Sequence, residues 1–195
     1  MQKSRIEAFS DGVLAIIITI MVLELKVPHD DTLGELIKKL PLFFSYVLSF
    51  IYIAIYWNNH HHLLHTIQKI NGSILWANNH LLFWLSLVPF VTAWAGENHF
   101  STLPVALYGV VLFMAGTAYY ILTITIIAAH GKDSVLSKAI GKDYKGKISV
   151  VLYAASVLLS FVNPYLSLGI YAAVALMWII PDSRIERAMR GDYSE

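Results

Sequence analysis

The sequence contains no cysteine among its 195 residues, and it contains few charged residues. The lack of cysteine excludes a disulfide framework and any site whose chemistry depends on a thiolate. Charged residues make up only 14%, against about a quarter in a soluble domain, while 57% of the residues are apolar. The formal net charge of +1 is too small for a nucleic-acid-binding protein, so no nucleic-acid partner is predicted. This composition predicts an integral membrane protein that crosses the lipid bilayer several times.

The N-terminus lacks the basic, apolar and small-residue succession of a cleaved signal peptide, so we expect the first apolar run to be kept as a span. The apolar runs predict spans at about residues 5–27, 40–58, 74–95, 103–129, 148–162 and 165–181. The first four have the roughly 20 residues that a helix needs to cross the hydrocarbon core. The last two are shorter and are joined at Asn163 and Pro164, so they form either two short spans or one long re-entrant segment.

The positions of the basic residues favour six spans. With six spans and the N-terminus inside, eleven of the fourteen lysines and arginines fall in inner segments, and only Lys26, Lys38 and Lys39 fall outside. This asymmetry is the one that the positive-inside rule describes. The arginine-bearing tail at 182–195 also lies inside only if the number of spans is even. We therefore predict an all-α membrane protein in which residues 1–195 form a single six-span domain, with both termini in the cytoplasm.

The first span joins an apolar half to a polar half, RIEAFSD, at residues 5–11. One interpretation is that Ser10 or Asp11 caps a helix that begins at the membrane surface. An apolar half that starts at Gly12 would, however, reach only about 21 Å, which is short of a hydrocarbon core of about 30 Å. We therefore expect the helix to begin near Arg5 and to hold the polar residues below the inner surface, where such groups face the protein interior and need partners.

Polar partners for this half of the helix are predicted at the same depth in the next two spans. The second span ends inside with YWNNHHHLLH at 56–65, and the third begins inside with WANNH at 76–80. Histidine can donate to the aspartate whether it is neutral or charged, and either Asn78 or Asn79 is available as an amide partner. The predicted motif and structural network comprises Arg5, Phe9, Ser10, Asp11, Trp57, His60, His61 and Asn78.

The histidines also suggest two alternatives to a structural network. His61 and His65 lie four residues apart on one helix face, a spacing that suits zinc, and His80 is available from the next span. No neighbouring carboxylate completes such a set, so no metal site is predicted. A proton relay through Asp11 and the histidines is a separate alternative.

The segment RIEAFSDGVLAIIIT resembles the RxxxFSD signature of the transmembrane-protein-175 family of potassium channels, with Arg5, Phe9, Ser10 and Asp11 at its fixed positions. The stretches WNNHH, WANN and SLVPFVTAW are similar to the second and third spans of that family. The detailed resemblance covers about residues 5–95. Beyond it, only length and hydropathy agree.

The resemblance implies a homotetramer of the prokaryotic kind, in a bacterial inner membrane, with the first helix of each subunit lining a central pore. The sequence has no TVGYG-like carbonyl filter. The family uses apolar side chains as a constriction instead, and the matching positions are Ile16, Ile20 and Leu23. A threonine layer that contributes to selectivity matches Thr19. Ala15 stands where animal members can carry a serine, which implies weaker potassium selectivity here.

The residues themselves support this pore less sharply. Ile16, Thr19, Ile20 and Leu23 are three and four apart and share one helix face, but such a stripe usually indicates helix packing. At the outer end, Glu24 and the acids of the following loop are expected to concentrate cations at the pore mouth. The alternative for these acids is an ordinary solvated loop whose lysines weaken the field.

The predicted function is that of a potassium-permeable cation channel with passive flux and a hydrophobic gate. Its partners are further copies of itself, monovalent cations and the lipid bilayer; potassium is the permeant ligand and no cofactor is expected. The alternative is a proton- or metal-coupled secondary transporter that uses Asp11, Glu24 and the histidine cluster. An intramembrane enzyme would need convergent catalytic groups, which the later spans scarcely offer, so no enzymatic activity is predicted.

Overall fold

The computed structural model describes residues 3–131, 134, 136–137 and 143–179. The regular elements within these ranges are α-helices, as predicted. They are α1 (Lys3–Leu23), α2 (Leu33–Lys38), α3 (Leu40–His65), α4 (Gly72–Ser86), α5 (Val88–Glu97), α6 (Thr102–His130), α7 (Tyr144–Leu159) and α8 (Pro164–Ile179).

Four apolar segments among the described residues are long enough to cross a bilayer: α1, α3, α4 with α5, and α6. They correspond to the first four predicted spans, so the chain is an integral membrane protein. The last two predicted spans are two separate helices, α7 and α8, of 16 residues each. At about 24 Å, each is shorter than a hydrocarbon core of about 30 Å.

Three of the differences between the helix boundaries and the predicted spans have a local cause. α1 ends at Leu23 rather than at residue 27, because the chain tightens into an i→i+3 bond from the Leu25 N–H to the Val22 carbonyl. α3 continues to His65 rather than ending at 58, because the polar segment that follows the apolar run stays helical. The third span is interrupted between α4 and α5, where Pro89 lacks an N–H donor and its ring clashes with the preceding turn.

α6 lies at the centre of the bundle and contacts α4, α5, α7 and α8. α3 packs against α5 on one side and against α8 on another. The approach of α3 to α5 is close because α5 presents a glycine there: a Cβ atom on Gly96 would lie 2.5 Å from the Cα atom of Leu42. Pairs of helices that meet through glycine in this way are common in membrane bundles.

The N-terminus of α1 and the C-terminal ends of α3 and α6 meet at one end of the bundle. Lys3 Nζ donates to the carbonyl of His65 at 3.0 Å. His130 Nε2 accepts the backbone N–H groups of Gln68 and Lys69 at 3.1 and 3.2 Å. Spans that alternate in direction, as predicted, bring these particular ends together.

At the opposite end, an ion pair of 3.6 Å joins Lys26, after α1, to Glu97 at the end of α5. Several residues that entered the prediction of topology lie outside the described ranges. They are Lys132, Lys138, Lys142, Arg184, Arg187 and Arg190.

Candidate pore helix and its hydrogen-bond network

α1 has one face buried in its own chain and one face left uncovered. The buried residues Ile6, Ser10, Leu14, Ile17 and Met21 recur at spacings of three and four, and they lie on the side that contacts α3, α4 and α5. This spacing keeps one polar residue, Ser10, in an otherwise apolar contact surface. The polar half of the sequence therefore lies inside the helix and not at its cap, as the length argument predicted.

The uncovered face of α1 carries the residues that were predicted to form the constriction. Ile16 is 59% exposed, Ile20 43% and Leu23 71%, and Thr19 lies exposed beside them. A continuous apolar stripe of this kind, on a face that its own chain does not cover, marks a surface for lipid or for another protein surface.

Three side chains connect α1 to α4 and α3 through a chain of hydrogen bonds. Asn78 of α4 donates its Nδ2 group to Ser10 Oγ at 3.0 Å, and its Oδ1 atom lies 2.7 Å from His60 Nε2. Ser10 in turn donates to the carbonyl of Ile6 at 2.8 Å, so its oxygen is the acceptor for the amide. Because the amide oxygen can only accept, His60 Nε2 must carry a proton and donate.

A second contact holds α1 at the edge of the same network. Trp57 Nε1 of α3 donates to Asp11 Oδ1 at 3.0 Å, and both residues are exposed on the single chain. The His61 ring stacks on Trp57 with ring centroids 5.9 Å apart. His61 thus supports the tryptophan that binds the aspartate, rather than bonding to the aspartate itself.

Two members of the predicted network lie elsewhere. Arg5 and Phe9 are exposed, and no hydrogen bond or ion pair joins the Arg5 side chain to the described residues. The reason is helical phase: both residues fall on the stripe that continues through Gly12 to Ile16, roughly opposite the buried side of Ser10. The network in this chain therefore consists of Ser10 and Asp11 with their partners, without the arginine.

The Thr19 hydroxyl donates to the carbonyl of Ala15, one turn earlier, at 2.9 Å. This back-bond is the usual choice of a threonine within a membrane helix. It uses the only proton of the hydroxyl, so the lone pairs of the oxygen remain available as acceptors on the uncovered face.

Glu24 follows the last residue of α1 and is half-buried. It lines the outer end of a groove of about 590 Å³ between α1 and α5, together with Ile16, Ile20 and Glu97. The loop that follows carries further acids, but Lys38 donates to Glu35 and thereby lowers the pKa of that carboxyl group. Lys26 and Lys38 therefore compensate part of the negative charge at this end.

Histidine rings of α3 and α4 contact aromatic neighbours within their own helices. The rings of His61 and His65 meet edge to face at 4.4 Å, while His80 Nε2 accepts a hydrogen bond from Trp84 Nε1 in its own helix at 3.0 Å. In the part of the chain that the structure describes, no three histidine or acidic side chains converge on a point that could hold a metal ion.

A buried chain of hydroxyl groups between α3, α5 and α6 was not predicted. Ser45 Oγ donates to the carbonyl of Thr92 at 2.7 Å, and Ser49 Oγ lies 2.6 Å from Thr92 Oγ1 and 2.9 Å from the Tyr108 hydroxyl. The signal was present in α3, where Ser45, Ser49 and Tyr52 recur at four and three residues along one face. These bonds join helices through the centre of the bundle and do not reach the uncovered face of α1.

Residues 5–89 match the model of a family described as the endosomal/lysosomal potassium channel TMEM175. The matched residues include the RxxxFSD segment, the three hydrogen-bonded residues Ser10, Asn78 and His60, and Trp57. A potassium channel of Chryseobacterium sp. (strain P1-3) is 55% identical over 190 residues, which are 97% of this chain and 99% of that protein. The chain belongs to the TMEM175 family.

Two further comparisons agree with this assignment. A potassium channel of Chamaesiphon minutus is 29% identical over 193 residues, covering 92% of this chain and 94% of its own length. The crystal structure of a lysosomal potassium-selective channel TMEM175 homolog from Chamaesiphon minutus matches with a TM-score of 0.81 at 27% identity. It covers 92% of this chain and 97% of the solved chain. Because TMEM175 and these relatives are ion channels, the prediction that the chain is not an enzyme is confirmed.

Proposed function

We propose that this TMEM175 family member is the subunit of a passive, potassium-permeable channel in the bacterial inner membrane. Similarity to proteins named as potassium channels supports the permeant ion. The observation that carries the mechanism is the apolar face of α1 that the chain leaves uncovered, with Ile16, Ile20 and Leu23 projecting from it.

The pore in this proposal is formed by four copies of α1, one from each subunit of a homotetramer. A single helix cannot enclose a channel, whereas a ring of four would bury the stripe against a shared axis. Each subunit would be one six-span domain of residues 1–195, with α7 and α8 as the two short spans and both termini in the cytoplasm. The basic residues Lys3, Arg5 and Lys69 at one end of the bundle support that orientation.

Rings of Ile16, Ile20 and Leu23 would form the constriction and gate the pore by excluding water when it is narrow. Thr19 lies between two of these rings on the same face, and its hydroxyl donates back to Ala15. Four threonine oxygens, with their lone pairs turned to the axis, would replace part of the hydration shell of the cation. Potassium, which holds its water less tightly than sodium, would benefit more from such a layer.

The hydrogen bonds of Ser10 and Asp11 would fix the rotation of α1 and so decide which residues face the axis. The groove between α1 and α5 is lined by Ile16 and Ile20 on one side and by Phe90 and Trp94 on the other. These apolar side chains would form a binding surface for the neighbouring subunit. Glu24 at the outer end of that groove would attract cations to the mouth, whereas the charge of Glu97 beside it is compensated in part by Lys26.

The decisive measurement is the bi-ionic reversal potential of purified, reconstituted protein with potassium on one side and sodium on the other. The channel proposal expects current without a proton gradient and a reversal potential that favours potassium. Flux that requires a proton or metal gradient would instead support the transporter that uses Asp11, Glu24 and the histidines, and would overturn the channel.

The pore assignment is tested by variants of neighbouring residues. Leu23→Ala and Ile16→Ala should raise conductance because they widen a constriction, and Thr19→Ala should lower the ratio of potassium to sodium permeability. Val22→Ala is the matched control, since Val22 is an exposed neighbour that lies to the side of the stripe. Equal currents in all four variants would place the pore elsewhere. Crosslinking in detergent should yield a four-subunit species, and a stable monomer would remove the proposed pore.

A further inference from the structure

A second cavity lies away from α1, between α3, α6 and α7. Its volume is about 380 Å³, within the range of roughly 300–1,000 Å³ that small-molecule sites occupy. Its walls are mainly aliphatic and aromatic: Ile55 and Tyr56 from α3, Tyr120 from α6, and Val150 and Val151 from α7. The residues of the proposed pore and of the Ser10–Asn78–His60 chain do not line it.

One wall of the cavity carries a glycine with free space in front of it. Gly116 of α6 lies in its wall, and a Cβ atom there would meet Val150, Tyr153 and the Tyr56 hydroxyl only at 3.6–3.8 Å. Tyr56 packs edge to face on Tyr119, and its hydroxyl makes no hydrogen bond within the described residues. A long apolar group with few polar atoms fits these walls, because it needs few hydrogen bonds.

The mouth of the cavity differs in chemistry from its walls. Lys147, exposed at the start of α7, lines it together with Gly146. Two residues earlier in α7, Lys145 Nζ lies 4.8 Å above the ring of Trp178, which also lines the cavity. Lysine and tryptophan at a helix end are typical of the membrane–water interface. Asp143 lines the mouth too, but its carboxylate caps α7 by accepting the Gly146 N–H at 3.2 Å.

The cavity therefore combines an apolar interior among membrane helices with an exposed lysine at its mouth. The mouth lies at the N-terminus of α7, where the helix dipole favours negative charge and where Asp143 is already held as the cap. We propose that it binds the acyl chain of an anionic lipid, with the chain against Gly116 and Tyr56 and the anionic headgroup at Lys147. The shared chemistry is an acyl chain with one negative headgroup, which a phospholipid or a free fatty acid can supply.

Trp178 provides a probe for this site, because bromine atoms on an acyl chain quench the fluorescence of a tryptophan that they contact. Full-length protein in detergent is titrated with brominated phosphatidylglycerol, brominated fatty acid or brominated phosphatidylcholine. We expect saturable quenching with at least one of the two anionic probes, and the probe that binds identifies the source. We expect the saturable component to be absent in Trp178→Phe.

Two glycine substitutions separate occupancy of the cavity from general contact with lipid. Gly116→Leu places a side chain in the cavity and should abolish saturable quenching. Gly169→Leu makes the same change on the exposed side of α8, where nothing lies within 4 Å of the new Cβ, and should leave the quenching intact. If Gly116→Leu does not fold, Val150→Phe fills the same space from α7.

The headgroup contact is tested by Lys147→Gln, which should weaken binding of the anionic lipid about fivefold, the contribution typical of one lysine near an anionic membrane surface. Quenching that rises linearly without saturation, that survives both cavity-filling variants, or that is equal for phosphatidylcholine would overturn the proposal. Native mass spectrometry of the purified protein gives an independent measure, in which Gly116→Leu should retain less anionic lipid than Gly169→Leu.

Discussion

The most informative single substitution is Asn78→Ala, because Asn78 is the central member of the hydrogen-bond chain between α1, α4 and α3. Its side chain is only 1% exposed and His60 only 3%, so water cannot readily replace the amide. Removal of the amide strands the His60 N–H, which costs about 1–3 kcal/mol for a buried donor without a partner. Ser10 is less affected, since its hydroxyl keeps the bond to the Ile6 carbonyl.

For a protein of this size, that loss corresponds to a fall in melting temperature of roughly 2–12 °C. The assay is thermal unfolding of the purified protein, followed by circular dichroism in one detergent at one scan rate. Asn79→Ala is the matched control, because Asn79 is the exposed neighbour and the gain in helix propensity is the same at both positions. The reasoning is refuted if Asn78→Ala melts no lower than Asn79→Ala.

The energetic link between α1 and α4 is measured by combining Asn78→Ala with Ser10→Ala in a double-mutant cycle. If the amide and the hydroxyl act as one unit, the two losses of unfolding free energy should differ from additivity by about 0.5–3 kcal/mol. Additive effects would mean that each residue contributes only its own packing. In that case the bond would not fix the rotation of α1.

Three further substitutions test other parts of the fold. Gly96→Ala should destabilise the protein by about 1–3 kcal/mol, because the new methyl group meets the backbone of Leu42 and pushes α5 from α3; unchanged thermal stability would contradict that close approach. Trp57→Phe should cost less than about 1 kcal/mol, because its bond to Asp11 is exposed, yet it should alter channel conductance if that bond sets the pore helix. Tyr52→Phe removes a buried hydroxyl that is hydrogen-bonded to α7 and α8, so it should lower the unfolding free energy by about 1–2 kcal/mol. Thermal unfolding of the purified protein measures that loss, and reversal potentials should show unchanged ion selectivity.

The depth of each polar residue along the membrane normal could be predicted from the sequence, because it depends on the number of residues between that position and the end of its span. The length of the apolar half required α1 to begin before Ser10, and the topology required Trp57 and Asn78 to lie at the level of that polar half. The structure forms both contacts. The same counting located the four long hydrophobic segments, including the third, whose Pro89 already indicated an irregular helix.

Rotation about the helix axis could not be predicted in the same way. Arg5 has the right depth to join the network, but its phase places it on the uncovered stripe with Phe9. The hydroxyl chain of Ser45, Ser49 and Thr92, and the cavity beside Gly116, depend on how three helices pack together. Such contacts join residues far apart in the chain, so hydropathy along the sequence carries little information about them.

The unequal attachment of α1 has a mechanical consequence. The described side-chain hydrogen bonds from α1 to the rest of its subunit fall at Lys3, Ser10 and Asp11, whereas Ile17 and Met21, nearer the other end, hold it by packing alone. Leu23 lies about 20 Å along the helix from Ser10, at about 1.5 Å per residue. A tilt of about 5° around that fixed end would therefore move Leu23 by roughly 1.7 Å while Ser10 hardly moves. A small tilt of α1 about its polar end therefore displaces the apolar end of the helix far more than it displaces Ser10.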